Sequence, residues 1–377
     1  MRLFIILIIF FISLQSCVSR INELPTVDLQ NPGLSKVVNL SEIISTCNLV
    51  KLETSKDILI GDNTKYLVGD NFIITAGQEK ILLFSSSGKY IKTIAIAGRG
   101  PNEYSNIVAT GLDEKNNILY INQRDDPGNI MAYSFLKNDP VRKISTGIKN
   151  LLYYIVVLND TLLAISPGLN IDCNFLILST SGRIVHTVKP PEGIGLGISI
   201  AKLKDHFYYK PKQNDTVYIM EKFKKIPYCF LNVENPATLT NQEQGNFVHL
   251  TVIGLEFMIA QKLHVSSIQI YPNDVIRFKS DLRKFYWINK KNFSANELTG
   301  FYNDFFGTDE PFVDFISHFS VCNEYGFLRY SAFELKQILN KAIHSKDTPD
   351  SLKLKMNKLN IELNDLDNPV LLIGKLK

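Results

Sequence analysis

The feature that most constrains this chain is an internal repeat. Phe175-Leu-Ile-Leu-Ser-Thr-Ser-Gly182-Arg-Ile-Val-His-Thr-Val188 aligns without a gap on Ile81-Leu-Leu-Phe-Ser-Ser-Ser-Gly88-Lys-Tyr-Ile-Lys-Thr-Ile94, 94 residues earlier. Each copy reads as a strand, a turn with glycine where a hairpin needs positive φ, and a second strand. The spacing is two periods of the ~40 to 50 residues that make one propeller blade. Ile130-Met-Ala-Tyr-Ser134 with Val141-Arg-Lys-Ile144 fills the place between the copies, with one inserted residue. Asp215-Thr-Val-Tyr-Ile-Met220 with Lys225-Ile-Pro-Tyr-Cys-Phe-Leu-Asn-Val233 is a weaker fourth copy.

Around the first copy the strands Tyr66-Leu-Val68, Asn71 to Ala76, Lys80 to Phe84 and Lys89 to Ile96 follow one another through short polar turns. Units of this kind fall near 53–96, 107–145, 153–188, 198–233 and 247–290, with a last one from about 300. Past residue 245 the copies blur, although Val275-Ile-Arg-Phe-Lys279, Lys284-Phe-Tyr-Trp-Ile288 and Gly326-Phe-Leu-Arg-Tyr330 read as strands. Two helices interrupt them. Ser331-x-x-Glu334 is a capping box ahead of an apolar stripe of Leu335, Ile338, Leu339, Ala342 and Ile343. Thr348-Pro349 opens the second helix, with Leu352, Met356, Leu359 and Leu363 on one face. A propeller must join its last blade to its first or leave two sheet edges bare. The isolated early strand Asn48-Leu-Val-Lys-Leu52 and the terminal Asn368-Pro-Val-Leu-Leu-Ile-Gly-Lys-Leu376 are therefore expected to share the last blade. The fold expected is all-β: a six-bladed propeller of four-stranded antiparallel blades, closed by its terminal strands, with two short helices near the C-terminus.

The N-terminus reads as an address. Met1-Arg2 precedes an apolar run from Leu3 to Leu14, 12 residues, which as a helix is ~18 Å long and too short for a ~30 Å hydrocarbon core. Leu14-Gln15-Ser16-Cys17 follows at once and resembles a bacterial lipobox, in which the cysteine takes a diacylglycerol and becomes the new N-terminus. The division expected is a signal peptide over 1–16, a lipid-anchored tether over 17–40, and the propeller over 41–377. More than one acyl chain makes membrane attachment stable. No acidic cluster follows Cys17, which favours the periplasmic face of the outer membrane over the cell surface. The other cysteines, Cys47, Cys173, Cys229 and Cys322, form no C-x-x-C pair and sit in separate apolar segments, so buried thiols are expected.

Between the first two units stands Gly98-Arg99-Gly100-Pro101-Asn102-Glu103-Tyr104. This resembles the G-R-G-P-G-E-Y/F signature of the six-bladed β-propeller lipoproteins of Bacteroidetes, relatives of the NHL-like and TolB-like propellers. Ser41-Glu-Ile-Ile44, Asn214-Asp-Thr-Val-Tyr218, Asn303-Asp304 and Asn368-Pro-Val-Leu-Leu372 agree with the resemblance. The chain departs from it at Asn102, where the family has glycine and positive φ is tolerated, and at Phe305-Phe306-Gly307. The resemblance implies an extracytoplasmic propeller and brings no catalytic residue with it. Read physically, Gly98, Gly100 and Pro101 permit a tight crossing between blades, Arg99 and Glu103 can pair, and Tyr104 can pack. A sharper reading makes Arg99 a ligand contact, since propeller loops carry function on a rigid ring.

The tests for chemistry return little. The six histidines show no metal-clamp spacing, and no nucleophile elbow or P-loop occurs. Ser86-x-x-Lys89 falls in a hairpin turn. With 41 Lys+Arg against 37 Asp+Glu, a formal +4, no nucleic-acid partner is implied. Arg124 and Asp125, in Asn122-Gln-Arg-Asp-Asp126, are channel candidates, and Asn303 and Asp304 are loop candidates. No cofactor is expected; calcium is the candidate metal if carboxylates from several blades meet. Tyr153-Tyr154 and Tyr208-Tyr209 are each expected to turn one ring to solvent, because strand neighbours face opposite ways. The function expected is a membrane-anchored binding propeller that takes a protein partner or a small ligand through one loop face. The alternative is a metal-dependent hydrolase or lactonase using the central channel.

Overall fold

The computed structural model describes residues 23–377 apart from 138, 168–172, 190–197, 212–213, 237–244, 271–275, 347 and 349. Six antiparallel sheets stand in a ring. Blade 1 comprises Lys65–Val68, Phe72–Ala76, Lys80–Ser85 and Tyr90–Ile96. Blade 2 comprises Ile107–Asp113, Ile118–Gln123, Asp126–Ser134 and Arg142–Ser145. Blade 3 comprises Leu152–Asn159, Leu162–Pro167, Phe175–Ser179 and Ile184–Val188. Blade 4 comprises Ile198–Leu203, His206–Pro211, Thr216–Glu221 and Lys224–Asn232. Blade 5 is Gly245–Ile253, Phe257–Ile270, Ile276–Asn289 and Ala295–Asn303.

Blade 6 is composite. Phe319–Cys322, Tyr325–Tyr330 and Val370–Leu376 form its inner three strands, and Ile44–Lys51 is added outside them. Val370 faces Lys51 and Leu376 faces Ile44, so the two ends of the chain close the ring as the edge argument requires.

The core is a series of wedges between blades. Middle strands are covered on both faces, which is why Ile81, Leu82, Leu83 and Phe84 are all buried and read as an unbroken apolar run rather than an alternation. Gly88 and Gly182, the glycines shared by the repeat, sit at φ +83 and +95 in equivalent turns. Both helices form where their signals stand, at Ala332–His344 and Asp350–Glu362. Ser331 Oγ accepts from the Glu334 amide, while the Glu334 carboxylate accepts from the Ser331 amide. Cys173 and Cys229 are buried thiols, whereas Cys47 and Cys322 are half-buried.

Two stretches differ from the sequence reading. Within the segment read as a tether, Thr26–Asp28 lies parallel along the outer strand of blade 4, and Gly33–Asn39 lies parallel along that of blade 5. Such half-exposed edge strands carry no clear period, so only tertiary pairing reveals them. In blade 5 the two short strands read on either side of Ser280 to Arg283 are one continuous strand, Ile276–Asn289, paired to Phe257–Ile270 almost throughout. The polar run in its middle imitates a turn.

Every blade junction is also tied by polar groups on one face of the ring, the face that carries the turns between first and second strands. Glu114 of blade 2 accepts from the Asp70 and Asn71 amides of blade 1. Lys115 pairs with Asp160 of blade 3, and Lys202 of blade 4 donates to the Val157 and Leu158 carbonyls of blade 3. Lys290 of blade 5 donates to the Tyr208 hydroxyl of blade 4. The Leu255 amide of blade 5 donates to the Lys377 carbonyl beyond blade 6. Tyr325 and Lys375 of blade 6 return to Asp70.

Candidate functional site: the central channel

The inner strands of all six blades surround a channel of about 410 Å³. Its wall mixes aliphatic residues, Leu67, Leu112, Val156, Ile200 and Val252 among them, with polar ones. The polar groups on it include Lys65, Thr110, Tyr153, Tyr154, Ser199, Lys202, Thr251 and Asn323, with no carboxylate among the described residues.

Tyr153 and Tyr154 both line the channel and are 53% and 42% exposed. Regular alternation would have turned one of them away. A bulge between Leu152 and Tyr154 in the inner strand of blade 3 supplies the extra residue that brings both rings to the same side. By contrast Tyr208 and Tyr209 are both buried, Tyr209 in a stack with Tyr218 and edge-on to Phe175.

Lys65 opens the inner strand of blade 1, and no ion pair or hydrogen bond holds its ammonium among the described residues. Partial burial by the surrounding wall lowers its pKa from the ordinary value of 10.5, a shift against the charged form that a bound anion would offset. Lys202 lies at the other end. Burial lowers its pKa too, opposed by Asp205, Asp113, Glu324 and Asp160 around the mouth. Three carboxylates at that mouth have partners: Asp113 accepts from Asn116 through its amide and side chain, Glu114 holds the blade 1 turn, and Asp160 holds Lys115. Among the described residues no three His, Cys, Asp or Glu side chains converge as a metal site requires.

The residues singled out from sequence are scattered. Arg124 and Asp125 are exposed in the turn between the second and third strands of blade 2, outside the channel wall. Their neighbour Asn122, 0% exposed, is the organising residue there. Its Nδ2 donates to the Pro127 and Asn129 carbonyls, and its Oδ1 accepts from the Leu152 amide of blade 3. Asn303 is buried at the outer edge of blade 5, donating to the Tyr330 hydroxyl, and Asp304 accepts from the Ser41 amide. Cys17 lies outside the described residues.

The signature loop crosses from blade 1 to blade 2. Gly98 accounts for itself by proximity, not by φ: an added Cβ would stand 1.9 Å from the Glu103 carboxylate, which folds beneath the loop to accept from the Gly100 amide at 2.7 Å. Glu103 therefore serves the backbone instead of pairing with Arg99, which is exposed. Asn102 is not among the residues at positive φ, so the family's glycine there is dispensable in this chain. Tyr104 is buried in the wedge between blades 1 and 2 and donates to the Gly77 carbonyl at 2.8 Å. Pro101 is exposed at the crossing. The sequence reading missed Lys65, Lys202 and the paired exposure of the tyrosines as a set, since inner strands become neighbours only when the ring closes.

Residues 24–375 match the family described as "Domain of unknown function (DUF4934)". The chain belongs to this family. Among solved structures it is similar to one described as a "Putative exported protein" from Bacteroides fragilis NCTC 9343, with a TM-score of 0.62 at 13% identity, covering 93% of this chain and 100% of that one. That likeness shows the propeller fold. Slighter similarities extend to the RRP9 WD40 repeats, with a TM-score of 0.43 at 10% identity over 89% of this chain and 99% of that one. The WD40 domain of Neurospora crassa Pan2 gives 0.38 at 10% identity over 70% of each chain. No curated protein matches the chain in sequence.

Proposed function

We propose that this family member is an exported lipoprotein, anchored through Cys17 to the periplasmic face of the outer membrane and related to NHL-like propellers, whose ring binds a small anionic ligand in its central channel. The observation that carries the ligand reading is the lining: among the described residues, a Lys65 without a partner and two adjacent exposed tyrosines in a lumen without a carboxylate. The lumen of about 410 Å³ falls within the ~300–1,000 Å³ typical of small-molecule sites. Withdrawal from bulk water into the lumen strengthens a single charge contact, while the tyrosines offer flat apolar area with a polar tip. The mechanism is rigid display; no residue is assigned a catalytic role.

The test is calorimetric titration of the purified protein against a panel of small carboxylates and phosphates. Lys65→Gln and Tyr154→Ala should each weaken binding about tenfold, the ~1.4 kcal/mol of one lost contact, with the melting temperature unchanged. Binding indifferent to both substitutions would remove the channel from consideration. Mass spectrometry of the mature N-terminus tests the anchor: a diacylglyceryl Cys17 is expected, and an unmodified one refutes it.

A further inference from the structure

The turn between the third and fourth strands of a blade is a hairpin, and in blades 1 and 3 it carries glycine at positive φ, Gly88 and Gly182. Blade 4 has Lys222 and Phe223 there instead, at φ 45 and 67, closed by the pair Glu221 and Lys224. Positive φ costs a non-glycine residue roughly 1–2 kcal/mol, and a bulky ring is among the residues least suited to it. Strain of this kind clusters at functional sites. Phe223 is 39% exposed, as is Ile226, and Lys222, Lys224 and Lys225 are exposed around them. Three lysines thus stand beside two carboxylates, Glu221 and the Asp205 that lines one groove with Lys222 and Phe223. No ion pair engages these lysines among the described residues; Lys225 lies over the Tyr218 ring and Phe223 stacks on His186.

The path of the chain fixes where this tip sits. Thr26 pairs with Phe230 on the same outer strand of blade 4, and the Pro25 carbonyl accepts from the Phe230 amide. Thr26 stands nine positions after Cys17, a reach of at most ~32 Å at ~3.6 Å per residue. Phe223 lies seven residues along the strand from Phe230, ~23 Å at ~3.3 Å per residue. Leu24 and Phe230 add exposed apolar surface beside the entry point.

We infer that the outer edge of blade 4, with the Lys222–Lys225 hairpin at its tip, is a docking surface for the anionic headgroup region of the bilayer that holds the anchor. Phe223 and Ile226 enter the interface and the lysines meet the lipid phosphates. This inference rests on the lipid-anchor reading.

The test uses the full lipidated protein in vesicles of phosphatidylethanolamine and phosphatidylglycerol. Phe223→Trp should give emission that shifts to the blue and is quenched by brominated lipid, with Trp287, the one native tryptophan, as the internal baseline. The triple variant Lys222→Gln, Lys224→Gln, Lys225→Gln in that background should lose the quenching, each lysine contributing about fivefold in surface association. Phe223→Gly should raise the melting temperature by relieving the turn; a fall would show that the ring is kept for its stack on His186 and would overturn the inference. A protein that co-floats with vesicles but shows no quenching, the result a protein-binding hairpin would give, also overturns it. Failure to co-float at all refutes the anchor instead.

Discussion

Replacing Asn368 with alanine tests whether closure of the ring depends on a single side chain. Asn368 is 3% exposed. Its Nδ2 donates to the Glu53 carbonyl at 2.7 Å and the Ile58 carbonyl at 2.5 Å, and its Oδ1 accepts from the Ile60 amide at 2.9 Å. One side chain thus ties the start of the last strand to the segment that leads from blade 6 into blade 1. Alanine keeps the strand but leaves three backbone groups without partners. An orphaned buried group costs about 1–3 kcal/mol. The Ile58 carbonyl takes the full cost, whereas water can reach the other two in part, so a loss of about 3–5 kcal/mol is expected. That is a large share of the ~5–15 kcal/mol that holds a domain folded. Urea denaturation should show a lower midpoint with an unchanged slope. Asn368→Asp should do no better: its second oxygen would face the Glu53 and Ile58 carbonyls. A loss under ~1 kcal/mol for alanine, the size of an ordinary surface change, would refute the reasoning.

Three further outcomes are expected. Truncation before Asn368 should leave no cooperative transition, because Val370, Leu371, Leu372, Ile373 and Leu376 are buried and together contribute about 10 kcal/mol; an unchanged melting curve would show that the terminal strand does not close the ring. Gly98→Ala should cost about 1 kcal/mol by displacing Glu103 from the Gly100 amide, while Arg99→Ala should leave the melting temperature alone; the reverse order would contradict the loop geometry. The Tyr325 hydroxyl and the Lys375 ammonium hold the Asp70 carboxyl below its ordinary 3.8, so its contribution is present above that value and lost as pH falls through the lowered one. Asp70→Asn should flatten this part of the acid limb of stability, and superimposable pH curves would count against the tie.

The fold was legible because each blade repeats the same local chemistry. The Gly88 and Gly182 turns and the covered middle strands are properties of short segments, and so is the capping box at Ser331. Closure was legible too, since an unpaired edge is a cost any ring must avoid. The channel was not, because its lining is an alternation read across six strands and interrupted at Tyr153 by a bulge that no residue type announces. Arg124, Asp125, Asn303 and Asp304 drew attention as polar loop residues. Two of them proved to be exposed turn residues, and Asn303 and Asp304 are occupied with backbone and side-chain bonds at the outer edge. Asn122, which organises the blade 2 turn, and Asn368, which ties blade 6 to blade 1, look in sequence like ordinary turn asparagines.

The composite blade sets the order of events in the life of the chain. Its outer strand, Ile44–Lys51, is among the first parts of the domain to be made, and its neighbour, Val370–Leu376, is the last. Until that final segment is delivered the early strand has no sheet to join, and the loop it must close spans nearly the whole domain, a slow class of contact. The ring therefore stays incomplete during synthesis and is finished only when its two ends meet. Such a fastening cannot lock until both ends of the domain have been made.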